Sequence, residues 1–200
     1  MIVSVVAGGW SVKGDQWNLK HLPGHIIAVN DSALYLPKVN TIVSMDRLWT
    51  ENRWDWLCGK KLPSWIRNAA LKRMSTWDLP WLRVFVCDHK STEFSNESYV
   101  LNGTSSGMCG FNLAYKMVPE MIYLFGFDHC NGPNGEKHWF PPYPWVGEEG
   151  GTKPAKLKDW ANQYRGIAKQ CRDAGIRVMN CSSRSLIPEF KKCLPSEVLQ

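Results

Sequence analysis

At 200 residues the chain has room for one substantial hydrophobic core. Apolar residues make up 44% of it, which excludes a disordered chain, and no run nears the roughly 20 apolar residues of a membrane-spanning helix. A net charge of +6 and a pI of about 8.9 favour anionic ligands without choosing among nucleotide, nucleic acid and acidic lipid.

The seven cysteines are odd in number and irregularly spaced, with no Cys-x-x-Cys pair. Together with an N-terminus that lacks a basic leader, they read as free thiols in a reducing, cytoplasmic compartment. The eleven tryptophans are many for this length. Some are expected to be exposed, where they suit sugars, bases or a protein partner, and the alternative is that they cap sheet edges.

In chain order, Ile2 to Ala7 reads as a buried strand and runs straight into Gly8-Gly9-Trp10-Ser11. A glycine turn after a first strand lets a phosphate or ribose approach the backbone, although the spacing is not a full GxGxxG. His25 to Val29 is the second strand, closing on Asn30-Asp31-Ser32, and Thr41 to Met45 is the third, closing on Asp46-Arg47. Polar residues thus recur at strand carboxyl ends. A shared pocket is one reading, and helix capping by Asp31 and Asp46 is the other. Trp49 to Leu57 reads as a helix, Lys60 to Arg67 leads into an edge strand, and Arg83 to Cys87 is a further strand. The Trp-rich stretch from Trp49 to Trp81 is a candidate homo-oligomer interface.

The centre of the chain is Leu101 to Asn131. Thr104-Ser105-Ser106-Gly107 opens a helix that Pro119 ends, and its N–H groups make a candidate anion cradle. Met121 to Phe125 is an apolar strand that stops at Gly126-Phe127-Asp128-His129, placing an acid and an imidazole at a strand's carboxyl edge, where open α/β sheets bind ligands. Residues 129–153 carry His138-Trp139-Phe140 and Tyr143-Pro144-Trp145 without periodicity, as in a lid or binding loop, with Gly150-Gly151 as a hinge. Lys156 to Ala174 reads as one amphipathic helix, and Ile176 to Asn180 as the last strand.

Alternating strands and helices predict an α/β, Rossmann-like, doubly wound and mostly parallel sheet with helices on both faces, as one nucleotide-binding domain over 1–200. The order VVAGGWSVKG, IIAVNDS, IVSMD, NGTSSGMCGFNLAY, MIYLFGFD and GIRVMNCSSRSLIPEF resembles the clan of the bacterial family 42 sialyltransferases. It also resembles the domain-of-unknown-function proteins grouped with archaeal 6-hydroxymethylpterin diphosphokinase, many of which bacteriophages encode. That resemblance implies a phage member acting in the host cytoplasm. It implies a nucleotide or nucleotide-sugar donor held by Gly8, Gly9, Trp10, Ser11, Asn30, Asp46, Thr104, Ser105, Ser106 and Gly107, to which the shared-pocket reading of the strand ends adds Asp31. Asp46 stands where the sialyltransferases have Asn. The resemblance also implies a histidine base, for which His138 is the first candidate and His129 the second, beside Asp128. Tyr143 is a loose counterpart of the tyrosines that assist the leaving group.

The expected chemistry is glycosyl transfer, needing no cofactor, with Lys13, Arg47, Arg184 or the helix N-terminus against the leaving phosphate. A glycan and DNA are the two acceptors considered. The alternatives are a Mg²⁺-dependent pyrophosphokinase using Asp46 and Asp128 as metal ligands, and a non-catalytic nucleotide-binding protein. A zinc site from His129, Cys130 and His138 lacks regular ligand spacing.

Overall fold

A computed structural model describes residues 1–71, 79–146 and 152–198. The hinge expected at Gly150-Gly151, and part of the Trp-rich stretch, lie outside the described residues. In chain order the elements are β1 (Ile2–Val6), α1 (Ser11–Gly14), β2 (His25–Val29), α2 (Ser32–Tyr35), β3 (Thr41–Ser44), α3 (Arg47–Lys60), β4 (Ser64–Arg67), β5 (Leu82–Phe85), α4 (Ser106–Lys116), β6 (Met121–Phe125), α5 (Pro154–Ala161), α6 (Tyr164–Asp173), β7 (Arg177–Asn180), β8 (Lys191–Lys192) and α7 (Pro195–Val198).

The strands form one eight-stranded, all-parallel sheet in the order β5-β4-β3-β2-β1-β6-β7-β8. This is the α/β Rossmann-like architecture expected. The central strands are mostly apolar because both of their faces are covered; Ser4 of β1, buried among them, donates to the Pro23 carbonyl at 2.6 Å. Val3 and Val5 belong to the core on the α4 and α6 side, and Val6 to the core under α1 and α3. The central helix α4 crosses β1, β2 and β3. Its Gly110 permits that approach, since a side chain there would meet Val29 at 3.1 Å and Val5 at 3.3 Å.

Three expectations change. β4 is not an edge strand, because β5 pairs outside it from Ser64↔Leu82 to Arg67↔Phe85. The helix expected over 156–174 is two helices, α5 and α6, broken at Asn162 and Gln163. No tryptophan among the described residues is exposed: Trp17, Trp49 and Trp81 are buried, and Trp54, Trp56 and Trp65 pack against the cores. Burying a ring of this size is worth more than the stacking surface it would offer to solvent.

Candidate functional site

Successive strands leave β1 in one direction through β2 to β5 and in the other through β6 to β8. The crevice at that switch point opens at the carboxyl ends of β1 and β6. The β1 end brings Gly8 and Gly9, and the β6 end brings Gly126-Phe127-Asp128. Asn30 and Asp31 (after β2) and Asp46 (after β3) lie alongside, so the recurrent polar strand ends do form one row.

The glycine turn is pressed against the end of β6. The Gly9 N–H donates to the Gly126 carbonyl at 2.9 Å. A Cβ on Gly9 would fall 2.5 Å from that carbonyl oxygen and 2.6 Å from Cγ of Asp128. Asp128, only 2% exposed, accepts the Ser11 N–H at 2.8 Å and also the Ser11 hydroxyl. Its carboxylate therefore already occupies the start of α1, where a phosphate would otherwise be received. Burial pushes the Asp128 carboxyl above its ordinary range, and the Ser11 hydrogen bonds oppose this. The loop after β7 closes the other side: Ser182 Oγ accepts the Phe127 N–H at 3.0 Å, and Arg184 lies over the Trp10 ring at 5.9 Å.

Asp31 and Asp46 have structural partners. Asp31 takes a two-pronged pair from Arg53, at 2.9 and 2.7 Å, and the Trp49 indole N–H at 2.7 Å. Asp46, which is exposed, caps α3 by accepting the Trp49 N–H at 2.9 Å. The capping alternative thus describes Asp46, whereas Asp31 anchors α3 without capping α2. Among the described residues no group of three His, Cys, Asp or Glu side chains is arranged to hold a metal ion. Asn30 sits in the left-handed region at φ 52°. Its Oδ1 is buried with no hydrogen-bond partner among the described residues.

The Ser/Gly loop faces the end of β3. Ser105 caps α4 by accepting the Met108 N–H at 3.3 Å, and Ser106 Oγ accepts the Met45 N–H at 3.1 Å. Thr104 donates instead to Gln163 at 2.8 Å, which ties the loop to the break between α5 and α6. A Cβ on Gly107 would make ordinary contact with the Phe127 ring, at 3.5 Å. Lys13, Arg47 and Arg184 are exposed, and Arg47 pairs with Glu51 at 3.8 Å.

The aromatic segment covers the glycine turn. The Trp139 N–H donates to the Gly8 carbonyl at 3.1 Å, and its indole N–H to the Ala7 carbonyl at 3.0 Å. Phe140 stacks on Tyr35 at 5.7 Å and on His138 at 5.0 Å. Tyr143 packs edgewise on His138 at 5.3 Å and stacks on Trp145, over which Arg53 lies at 4.8 Å. His138 Nδ1 is buried with no hydrogen-bond partner among the described residues. Burial lowers the His138 pKa from its ordinary value, with the Gly8 backbone opposing, so the ring is neutral at pH 7. Burial raises the Tyr143 hydroxyl far above its ordinary value, so it stays protonated, while the Asn30 amide acts on it in the opposite direction.

The second histidine is elsewhere. His129 Nε2 lies 3.1 Å from the Tyr164 hydroxyl, and its ring packs edgewise on Tyr164 and Trp160. Burial lowers its pKa to about 4. The fold brings His138 to the crevice and turns His129 under α5 and α6. Sequence reasoning placed Trp139 in the binding loop but missed Arg53, Tyr35 and Ser182. Only Arg53 carried a signal, standing four residues after Trp49 on one face of a helix.

No protein-family model matches the chain, and no curated protein does. Solved structures do. The sialyltransferase CstII from Campylobacter jejuni in complex with cytidine-5'-monophosphate matches with a TM-score of 0.59 and 13% identity, over 100% of this chain and 86% of that one. CstII with the substrate analogue CMP-3FNeuAc gives 0.57 and 13%, over 99% and 88%. The monofunctional alpha-2,3-sialyltransferase Cst-I from the same organism gives 0.57 and 12%, over 100% and 82%. Over its length this chain shares the α/β fold of these structures.

Proposed function

We propose that the protein is a glycosyltransferase that takes a nucleotide sugar as donor. The observation that carries this reading is that Asn30 and His138 both adjoin Tyr143 and each keeps a buried polar atom, Asn30 Oδ1 and His138 Nδ1, with no well-formed hydrogen bond among the described residues, the Gly8 backbone being the group nearest His138. They line the switch-point crevice of a fold shared with sialyltransferases whose structures hold CMP and CMP-3FNeuAc. A buried polar atom without a partner is costly, and a ligand that supplies the missing hydrogen bond relieves that cost.

In this reading the Gly8-Gly9 turn and Asn30 receive the nucleotide, and neutral His138 removes the proton from the acceptor hydroxyl. Protonated Tyr143 donates a hydrogen bond to the departing phosphate. Asp128 and Asp31 shape the site through Ser11 and Arg53. The Mg²⁺ phosphotransfer alternative is disfavoured, because Asp128 is buried and committed to Ser11 and so is not free to hold a cation. A glycan acceptor is favoured over DNA: a related structure holds a trisaccharide acceptor, and no described tryptophan is exposed as a base-stacking platform.

The test is a thermal-shift screen with cytidine, uridine, guanosine and adenosine nucleotides and their sugars, with and without Mg²⁺. A nucleotide sugar should raise the melting temperature in the absence of metal. A shift confined to ATP plus Mg²⁺ would overturn the reading. With the donor known, His138→Ala should abolish turnover and leave nucleotide binding in place. Undiminished turnover in that variant would remove His138 as the base.

A further inference from the structure

Away from the crevice, five groups converge where β4 and β5 end and α4 begins. Cys87 follows β5, and its Sγ lies 3.8 Å from Sγ of Cys109, in the first turns of α4. It also lies 3.7 Å from Nδ1 of His89 and 3.1 Å from the Gly103 carbonyl. Arg67, the last residue of β4, adds a positive charge whose Nε is buried with no hydrogen-bond partner among the described residues. Cys87 is half-buried and within reach of solvent, whereas Cys109 is buried. A reachable sulfur beside a cation, with a second sulfur behind it, is the arrangement of a reactive thiol and its resolving partner.

We propose that Cys87 and Cys109 are a peroxide-sensitive pair that closes to a disulfide between the loop after β5 and the first turns of α4. The Cys87 thiolate attacks one oxygen of a hydroperoxide. An S–O bond forms, the O–O bond breaks, and the other oxygen leaves as alkoxide or hydroxide and takes a proton from water. Sulfur is oxidised to the sulfenic acid and the peroxide is reduced. The Cys109 sulfur then attacks the Cys87 sulfur. An S–S bond forms, the S–O bond breaks, and the hydroxyl leaves as water with the Cys109 proton.

Closing the disulfide brings the sulfurs from 3.8 Å to about 2.05 Å. The surroundings favour this order of events. The Cys109 S–H hydrogen bond holds the Cys87 thiol below its ordinary range, Arg67 acts in the same direction, and burial opposes them. Burial and the Cys87 contact push Cys109 well up, so it waits as a thiol. Cys130, equally half-buried, is raised by its burial and so is the internal comparison. Cys181 and Cys193 also approach, at 2.9 Å, but both sulfurs are buried at the β7–β8 edge, where Cys193 borders a cavity.

Folded protein is treated with hydrogen peroxide, alkylated, digested without reduction and read by mass spectrometry. A Cys87–Cys109 linked peptide should accumulate. Cys87 should lose its free thiol faster than Cys130, because its surroundings favour the thiolate and those of Cys130 oppose it. Cys109→Ala should stop at a Cys87 sulfenic acid that dimedone traps, and Arg67→Gln should slow the loss of Cys87 severalfold while leaving Cys130 unchanged. Cys87 reacting no faster than Cys130, or being oxidised while Cys109 remains alkylatable, would overturn the proposal. The wild-type measurement decides even if a variant fails to fold, and none of these readouts requires a nucleotide.

Discussion

Replacing Gly9 by alanine tests how the candidate site is built. The new methyl group would sit 2.5 Å from the Gly126 carbonyl oxygen and 2.6 Å from Cγ of Asp128. Neither neighbour is the free end of a flexible side chain: one is backbone at a strand end, and the other is a carboxylate 2% exposed. Overpacking of this kind costs about 1–3 kcal/mol. If the strain is relieved by moving Asp128, Ser11 loses its charged acceptor for both N–H and hydroxyl, at about 1.5–3 kcal/mol for each such bond. The expected loss is therefore about 3 kcal/mol or more, a large part of a domain's usual margin of about 5–15 kcal/mol.

Two other glycines calibrate the result. At Gly8 the methyl group would meet His138 Nδ1 at 2.9 Å, a side chain that can shift, so Gly8→Ala should cost clearly less than Gly9→Ala. At Gly59, exposed in α3, a methyl group meets nothing within 4 Å, so Gly59→Ala should stabilise by about 0.4–1 kcal/mol through helix propensity and unfolded-state entropy. The assay is urea unfolding of the three variants beside wild type, read as ΔG from midpoint and slope. If Gly9→Ala falls within about 0.5 kcal/mol of wild type, or no lower than Gly8→Ala, the turn is not packed as described and the argument for its closeness to Asp128 fails.

Two more predictions concern the same region. His129 has a folded pKa of about 4 against an ordinary value of 6.5, so between those pH values the unfolded chain binds the proton and the folded one does not; stability should fall as pH drops through that window, by up to about 3 kcal/mol and by less where water reaches the ring. His129→Asn, which tolerates the left-handed φ of 53°, should flatten that part of the profile in denaturant titrations at pH 7, 6, 5 and 4, and an unchanged slope would mean that His129 titrates normally in the folded state. Arg53→Ala should destabilise by about 3 kcal/mol, because among the described residues it leaves the Asp31 carboxylate, 3% exposed, with only the Trp49 indole as partner; Arg53 itself keeps 23% exposure, which holds the value to the lower end for a broken buried pair. Asp31→Asn combined with Arg53→Met should recover part of that loss, and a double variant no better than Arg53→Ala would show that the charge pair is not the source.

What the sequence by itself determined about this protein was local in origin. Runs such as Ile2–Val6 and Met121–Phe125 are apolar, or nearly so, without alternation, and only a strand covered on both faces needs that, so the parallel Rossmann-like sheet could be read from the sequence. The polar strand ends, the serine-capped α4 and the glycine turn followed from the same short-range rules. The tertiary structure alone decided what each polar residue does there, because a carboxylate or imidazole takes its role from partners that can lie anywhere in the chain. Asp128 finds Ser11 at a separation of 117 residues, Asp31 finds Arg53 at 22, and Trp139 reaches Ala7 at 132. No periodicity encodes those pairings. The left-handed turn at His129 carries its imidazole under Tyr164, while the contacts of Trp139 with the glycine turn bring His138 over Gly8, so two histidines nine positions apart in a loop acquire opposite surroundings.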